Sequence, residues 1–278
     1  MKKKRKLLTA VLVFILIVAL WTMWANTALE VNEIVISSDK LDGSYSGFRI
    51  AHVSDLHSAE LGDDHKKTVN ALKESNVDII VITGDLIDAS DESFDTALSF
   101  VKQALSVAPT YFVTGNHEGS LEKERVELLE EELEILGVKI LRNTSDLIFN
   151  DYGSICIAGV DDPVYAGTDS YITAENIDGL FEEESYKILL SHRPEMFEIY
   201  AESSADLVLC GHAHGGQFRI PFIGGLFAPG QGILPEYDAG KYSENDTDMI
   251  VSRGIGNSII PIRFNNRPEI VVIELRSE

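Results

Sequence analysis

Five short runs in the chain carry side chains able to hold a cation or move a proton. They are Asp55-x-His57, Gly84-Asp85, Gly115-Asn116-His117-Glu118, His192 and Gly211-His212-x-His214. Carboxylates, a carboxamide and imidazoles are the donor types that divalent transition metals accept. One histidine after a strand is more often a structural hydrogen-bonder, and His52 and His65 are read that way. Five of the seven histidines (57, 117, 192, 212 and 214) follow apolar runs, beside two aspartates and an asparagine. That concentration points to a shared centre.

The elements that must position these residues are legible as buried runs. Val77 to Thr83 is almost wholly apolar or β-branched, as a strand covered on both faces should be, and Gly84 ends it just before Asp85. Taken alone, Gly84-Asp85 is an ordinary turn. Phe48 to Val53 precedes Asp55, Tyr111 to Val113 precedes Asn116, Tyr186 to Ser191 precedes His192, and Asp206 to Cys210 precedes His212. Helical segments fall between the first strands: 65–76, then 93–105 with Phe94, Ala97, Leu98, Val101 and Leu105 on one stripe, then 121–136 with Val126, Leu129, Leu133 and Leu136 inward. Strand and helix alternating in this way is the pattern of a parallel sheet with right-handed crossovers. Asp55, Asp85 and Asn116 are 30 and 31 residues apart, about one strand-helix unit each, so all three belong on the same sheet edge. After Leu136 the runs shorten (138–141, 147–149, 154–160), which predicts a second sheet with more antiparallel pairing.

Composition bounds the setting. Residues 2–6 are all Lys or Arg, and Leu7 to Ala25 contains no charge. At ~1.5 Å per residue a helix of that length spans about 28 Å, close to a bilayer's hydrocarbon core. Trp21 and Trp24 lie where an interfacial aromatic belt belongs, and the basic cluster should stay cytoplasmic. We expect residues 1–29 to form an uncleaved single-pass anchor in the cell membrane, with residues 30–278 as one extracytoplasmic domain. A cleavable signal peptide is the competing reading, but the apolar run is long for one and the following small-residue sites are poor. Beyond the anchor, 18 Lys and Arg face 45 Asp and Glu, a net charge of −27. A surface of that sign repels phosphate backbones and argues against a nucleic-acid partner. Two cysteines, Cys156 and Cys210, both in apolar runs, read as buried thiols rather than a disulfide framework.

In order and rough spacing, the five runs resemble the calcineurin-like metallophosphoesterase family. The likeness covers residues 48–275. The stretches HRPE at 192–195 and GHAHGGQFRIPFIGGLFAPGQG from Gly211 resemble a membrane-anchored bacterial branch, which includes exported phosphoesterases and enzymes similar to UDP-diacylglucosamine pyrophosphatases. The resemblance implies an α/β fold, a four-layer αββα sandwich of two facing mixed sheets flanked by helices. It also implies two divalent ions (Mn, Fe, Zn or Co) bridged by Asp85, because a carboxylate offers two oxygens. Asp55, His57 and His214 would complete one ion's shell; Asn116, His192 and His212 the other's. Such ions lower the pKa of a shared water and polarise phosphoryl oxygens. His117, free of ligand duty, would act on the leaving oxygen or the phosphoryl charge, with Glu118 orienting its ring. The position three after Asp85 is Asp88, where purple acid phosphatases carry a metal-binding tyrosine, so a tyrosinate-iron centre is not expected.

The expected function is therefore hydrolysis of a phosphoester outside the cytoplasm and near the membrane, on a phosphorylated lipid or lipid pyrophosphate. The alternatives are a monoesterase or diesterase for small soluble substrates, and a membrane-tethered metal-binding domain without turnover. The run after His214 bears on the choice: Phe218, Ile220, Phe222, Ile223, Leu226 and Phe227 are interleaved with glycines and prolines. Its apolar residues are read either as a plug between the sheets or as an apolar lip facing the bilayer.

Overall fold

The computed structural model describes residues 2–166, 172–257 and 261–278. The uncharged N-terminal run is helical: α1 (Lys2–Thr27) is long and apolar enough to cross a membrane, and none of its apolar window is buried among the described residues. Where α1 ends, the chain is gripped. The Asn26 carboxamide donates to the Arg263 carbonyl at 2.8 Å and accepts the Arg263 N–H at 2.7 Å. The Arg267 guanidinium donates to the carbonyls of Ala28 and Leu29 and lies 5.1 Å from the Trp24 ring.

Two six-stranded sheets follow. The first contains β1 (Glu30–Ser38), β2 (Arg49–Val53), β3 (Ile79–Thr83), β4 (Thr110–Val113) and β5 (Lys139–Ile140). The second begins with β6 (Thr144–Phe149), β7 (Ser154–Gly159), β8 (Tyr186–Leu190) and β9 (Leu207–Cys210). Two short hairpins then intervene, β10 (Arg219–Ile220) with β11 (Gly224–Gly225), and β12 (Phe227–Ala228) with β13 (Gly232–Ile233). Finally β14 (Gly240–Glu244) and β15 (Thr247–Val251) join the second sheet, and β16 (Glu269–Ser277) returns to the first. The strand orders are β1-β16-β2-β3-β4-β5 and β14-β15-β9-β8-β7-β6.

The helices are α2 (Lys66–Glu74), α3 (Asp95–Leu105), α4 (Asn116–Gly119), α5 (Lys123–Leu136), α6 (Pro163–Ala166), α7 (Ala174–Asp178) and α8 (Phe197–Glu202). Three apolar layers hold the sandwich together. One face of the first sheet packs Ile80, Ile82 and Phe112 against Leu72 of α2, Phe100 and Val101 of α3, and Leu129 and Leu133 of α5. The inner faces of the two sheets meet through Ile50, Val81, Val113, Ile157, Ile188, Leu209 and Ile273. The outer face of the second sheet packs Leu189 and Val208 against Ile177 of α7 and Phe197 and Tyr200 of α8. Each such side chain contributes roughly 1.5–3 kcal/mol on burial, so alternation along β2 and β3 fixes which residues face which layer. The result is the expected four-layer αββα arrangement with mixed sheets.

Two sequence expectations need correcting. The 138–141 run belongs to the first sheet, since β5 pairs in parallel with β4. As expected, the second sheet has the more antiparallel pairing, β6 with β7 and β14 with β15, against β16 with β2 in the first, while β7, β8, β9 and β15 run parallel. On α3 the buried stripe is Ala97, Phe100, Val101 and Ala104, with Leu98 and Leu105 only partly covered. His52 and His65 make the structural bonds expected of them, to the Thr83 hydroxyl and the Thr96 carbonyl, each at 2.8 Å. Both cysteines are buried free thiols.

Candidate metal centre

Each ligating run is delivered by a strand end. Val53 closes β2 two residues before Asp55, Thr83 closes β3 two before Asp85, and Val113 closes β4 three before Asn116. Leu190 and Cys210 close β8 and β9, each two residues before a histidine. The strands are pinned by burial on both faces, so the loops beyond them inherit fixed starting points. Those loops are strained. Asp55, His57, Asp85, His212 and His214 all have positive φ, between 47° and 65°. Non-glycine residues rarely adopt that conformation, and where they do the surrounding structure is holding a functional geometry. Gly84 makes the crowding possible: a Cβ there would stand 2.6 Å from Gly115 Cα and 2.7 Å from His192 Nδ1.

The side chains converge in two groups that share one carboxylate. In the first, His57 Nε2 lies 3.3 Å from His214 Nε2 and 3.6 Å from Asp85 Oδ2, and His214 Nε2 lies 3.4 Å from Asp55 Oδ1. In the second, His192 Nε2 lies 3.2 Å from Asp85 Oδ2, 3.2 Å from Asn116 Oδ1 and 3.1 Å from His212 Nδ1. Asp85 Oδ2 thus faces both groups, while its Oδ1 accepts the His117 N–H at 2.9 Å. The structure brings all seven of these residues into one cluster, in two groups around Asp85.

The donor set fits two cations. Imidazole nitrogens face one another at 3.1–3.3 Å in both groups, and the atoms of Asp55, His57, Asp85 and His214, like those of Asp85, His192 and His212, lie within 4.8 Å of one another. The His192 Nδ1–H donates to the Thr83 carbonyl at 2.7 Å, which leaves Nε2 as the lone-pair nitrogen directed at the centre. Electrostatics agree. Burial pushes Asp55 up to about 6, with Asp85 adding to the rise against the pull of His192. Burial alone would raise Asp85 as well, but His192 and His57 hold it well below the ordinary carboxylate range. Burial drives His57 down to about 4 and holds His212 and His214 well below the usual imidazole range. His192 goes the other way, to about 10, because Asp85 outweighs its burial.

The two residues expected to act on substrate are separated in role. His117 sits at the rim, its side chain 23 % exposed, with its ring edge-on to His57 at 4.5 Å. Its Nδ1 accepts the Ala89 N–H at 3.0 Å and lies 3.7 Å from Asp88 Oδ2. Glu118 does not face that ring. Its buried carboxylate accepts the N–H groups of Asp85 (2.9 Å), Leu86 (2.8 Å), Ile87 (3.3 Å) and Gly115 (2.7 Å). The expectation that Glu118 orients His117 is therefore replaced: Asp88 is the nearby carboxylate, and Glu118 ties two loops together.

Sequence reasoning also passed over three charged neighbours. Asp88, read from sequence only as the place of an absent tyrosine, has its Oδ2 3.8 Å from His57 Nδ1 as well. Arg193 forms a two-pronged contact with Asp162 and donates to His212 Nε2 at 2.8 Å. Arg263, fully buried, reaches within 3.5 Å of His214 Nδ1. Arg193 lies in the HRPE run already singled out, so a charge beside a ligand was the available signal; Arg263 had none.

The family model described as calcineurin-like phosphoesterase matches residues 48–216, which includes every expected ligand. An uncharacterized metallophosphoesterase of Bacillus subtilis, YkuE, is 31% identical over 259 residues, covering 90% of this chain and 86% of its own. The Escherichia coli phosphodiesterase YaeI is 30% identical over 208 residues, covering 73% of this chain and 72% of its own. A zebrafish (Danio rerio) protein titled transmembrane protein with metallophosphoesterase domain is 30% identical, covering 89% of this chain and 57% of its own. Among solved structures, the Thermus thermophilus sulfate thiohydrolase SoxB shares the fold, with a TM-score of 0.50 at 13% identity, over 76% of this chain and about half (52%) of that one. With the family match, the relatives and the clustered ligands in agreement, the chain belongs to the calcineurin-like phosphoesterase family and is a metal-dependent phosphoester hydrolase.

Proposed function

We propose that the chain is tethered by α1 in the cell membrane and hydrolyses, on the extracytoplasmic side, a phosphorylated lipid, pyrophosphate-linked lipids included. The observation that carries the chemistry is Asp85 Oδ2 facing both ligand groups, which suits a bridge between two cations. Ions held there would supply Lewis acidity toward the phosphoryl oxygens and an activated water. Asp55, His57, Asp85 and His214 would hold one; Asp85, Asn116, His192 and His212 would hold the other. The His117 backbone N–H fixes the bridging carboxylate through Oδ1, and its side chain, at the rim, meets the substrate's leaving oxygen. Metal identity stays with the donor set: mixed nitrogen and oxygen favours Mn, Fe, Zn or Co over Ca or Mg.

Two features support a lipid. The basic Lys2 to Lys6 cluster and the uncharged run after it orient α1 with the catalytic domain outside. The run after His214 does not plug the core: Ile220, Phe222, Ile223 and Phe227 are all exposed. The Escherichia coli relative's name, phosphodiesterase, favours a diester over a monoester. Metal-loaded full-length protein in proteoliposomes, assayed on bilayer-embedded and water-soluble phosphodiesters and pyrophosphates with the Asp85→Asn variant as control, tests this reading. Turnover that is abolished by Asp85→Asn and at least about tenfold faster on the embedded class supports it. Equal turnover of both classes would favour the soluble-substrate alternative, and activity surviving in Asp85→Asn would remove the bridging role.

A further inference from the structure

The two hairpins after the ligand His214 present large apolar side chains to the outside in a way that a water-exposed tip does not require. Phe222, at the β10–β11 tip, is fully exposed and has φ +69°, a conformation strained for a bulky residue. Ile223 is 64% exposed and Ile233, in the second hairpin, 81%; Phe227 and Leu234 are exposed as well. Single exposed apolar residues are ordinary, but a grouped set is a contact surface.

Backbone bonds tie this set to the end of α1. The Leu234 N–H donates to the Leu226 carbonyl, and the Leu226 N–H donates to the Phe218 carbonyl. Phe218 bridges Phe264, itself exposed, and the Arg219 N–H donates to the Phe264 carbonyl. Arg263, next in the chain, is clamped on both backbone sides by Asn26. The hairpin tips and the last turn of the apolar helix are thus parts of one bonded platform. Its charge is also suited to lipid headgroups. Lys67 donates to the Thr27 carbonyl and Arg267 lies over Trp24, so two cations stand where α1 leaves the domain, Arg267 also lying 3.8 Å from Glu30, although the domain as a whole is strongly acidic.

From this continuity we infer that Phe222, Ile223, Phe227, Ile233 and Leu234 insert into the same bilayer leaflet that α1 leaves, docking the domain at a second point. The inference rests on the tethered reading of α1 and deepens it. Two attachments fix the domain's orientation, and because the hairpins begin immediately after His214 they hold the metal centre at headgroup level. A phosphate in a lipid headgroup then reaches the centre without the lipid leaving the membrane.

The test uses full-length protein in phosphatidylcholine and phosphatidylglycerol vesicles, with a nitroxide placed by Ile223→Cys, Ile233→Cys, Leu16→Cys in α1 or Glu132→Cys on the exposed face of α5. The two native thiols are buried, and wild-type protein carried through the same labelling reaction verifies that they stay silent. Collision with oxygen reports lipid and collision with a water-soluble nickel chelate reports water. The expected result is that positions 223 and 233 resemble Leu16, losing chelate collisions and gaining oxygen collisions, while Glu132 does the opposite. Lipid contact at Leu16 with aqueous 223 and 233 overturns the second attachment and leaves the tether intact. An aqueous Leu16 overturns both. Spin–spin broadening that grows with protein density, with 223 and 233 shielded from both reagents, assigns the surface to a second copy of the chain and overturns insertion.

Discussion

Glu118 Oε2 accepts the Asp85 N–H at 2.9 Å and the Gly115 N–H at 2.7 Å, so one buried carboxylate holds together the loops that follow β3 and β4. With Leu86 and Ile87 bonded to Oε1, four backbone donors end on this side chain. A residue so engaged cannot also steer His117, although the two are neighbours in sequence. The geometry of a short helix explains this: at the start of α4, consecutive side chains point about 100° apart.

Glu118→Gln should therefore act on stability and metal content before it acts on the chemical step. The amide keeps one acceptor and turns an N–H₂ toward buried N–H groups, leaving donors unsatisfied at ~1–3 kcal/mol each. Urea unfolding of the metal-free variant should show a loss of about 2–4 kcal/mol, and elemental analysis should show fewer ions bound per chain. Wild-type stability and metal content with a lost rate would restore the view of Glu118 as the orienter of His117.

The centre was more legible in sequence than the fold around it, for a physical reason. Strands such as β3, buried on both faces, announce themselves as apolar runs, and the polar residue after each run is placed by the strand's end. That logic delivered Asp55, Asp85 and Asn116 to one edge of the first sheet and set His192 and His212 after strand ends of the second. It could not deliver β16, which lies between β1 and β2 although more than 200 residues separate it from them in the chain. Pairing across such a distance leaves no local trace. Nor could it decide between a plug and a lip for residues 218–227, because burial of a glycine-rich loop depends on what packs over it rather than on its own pattern. Glu118 and Asp88 show the same limit: a carboxylate's partner is set by tertiary placement, and adjacency to His117 was misleading.

His52 carries a pH dependence that is separable from the metals. It is fully buried, and burial holds it neutral with a folded pKa of about 3 against an ordinary value of 6.5. A group whose folded pKa is depressed contributes stability that is present above its unfolded pKa and lost as pH falls below it. At pH 5 the unfolded chain has gained this proton and the folded chain has not, a penalty of about 2 kcal/mol. His52→Leu should lose less stability than wild type between pH 7 and pH 5 by that amount, measured as the difference in unfolding free energy. Parallel losses in the two proteins would show that His52 is not held neutral.

Asp88 lies between two imidazoles, 3.8 Å from His57 Nδ1 and 3.7 Å from His117 Nδ1. Among the described residues His57 Nδ1 is buried with no hydrogen-bond partner, so the Asp88 carboxylate is the charge that polarises both rings. Asp88→Asn keeps the shape and removes the charge. It should retain both ions at saturating metal while kcat falls roughly 10- to 100-fold, the usual scale for a group behind a ligand. A variant that loses metal at concentrations that saturate wild type, with kcat restored at higher metal, would place Asp88 behind His57 alone.

His117 separates catalysis from binding, because Asn116 beside it faces the second ligand group while the His117 ring stands at the rim. The Ala89 N–H bond to Nδ1 leaves Nε2 as the ring's hydrogen-bearing atom, free to face a substrate oxygen. His117→Ala should leave metal content intact, since the ring is outside both ligand sets around Asp85. The rate should fall by roughly 10² to 10⁴, the contribution of a placed proton donor. The loss should be largest for leaving groups of high pKa, which need a proton as the ester bond breaks, and smaller for an activated aryl phosphate that departs as a stable anion. Equal losses on both, with normal metals, would assign His117 to stabilising phosphoryl charge rather than to donating a proton. Unchanged rates on both would take it out of the mechanism, leaving Asp88 to act through His57.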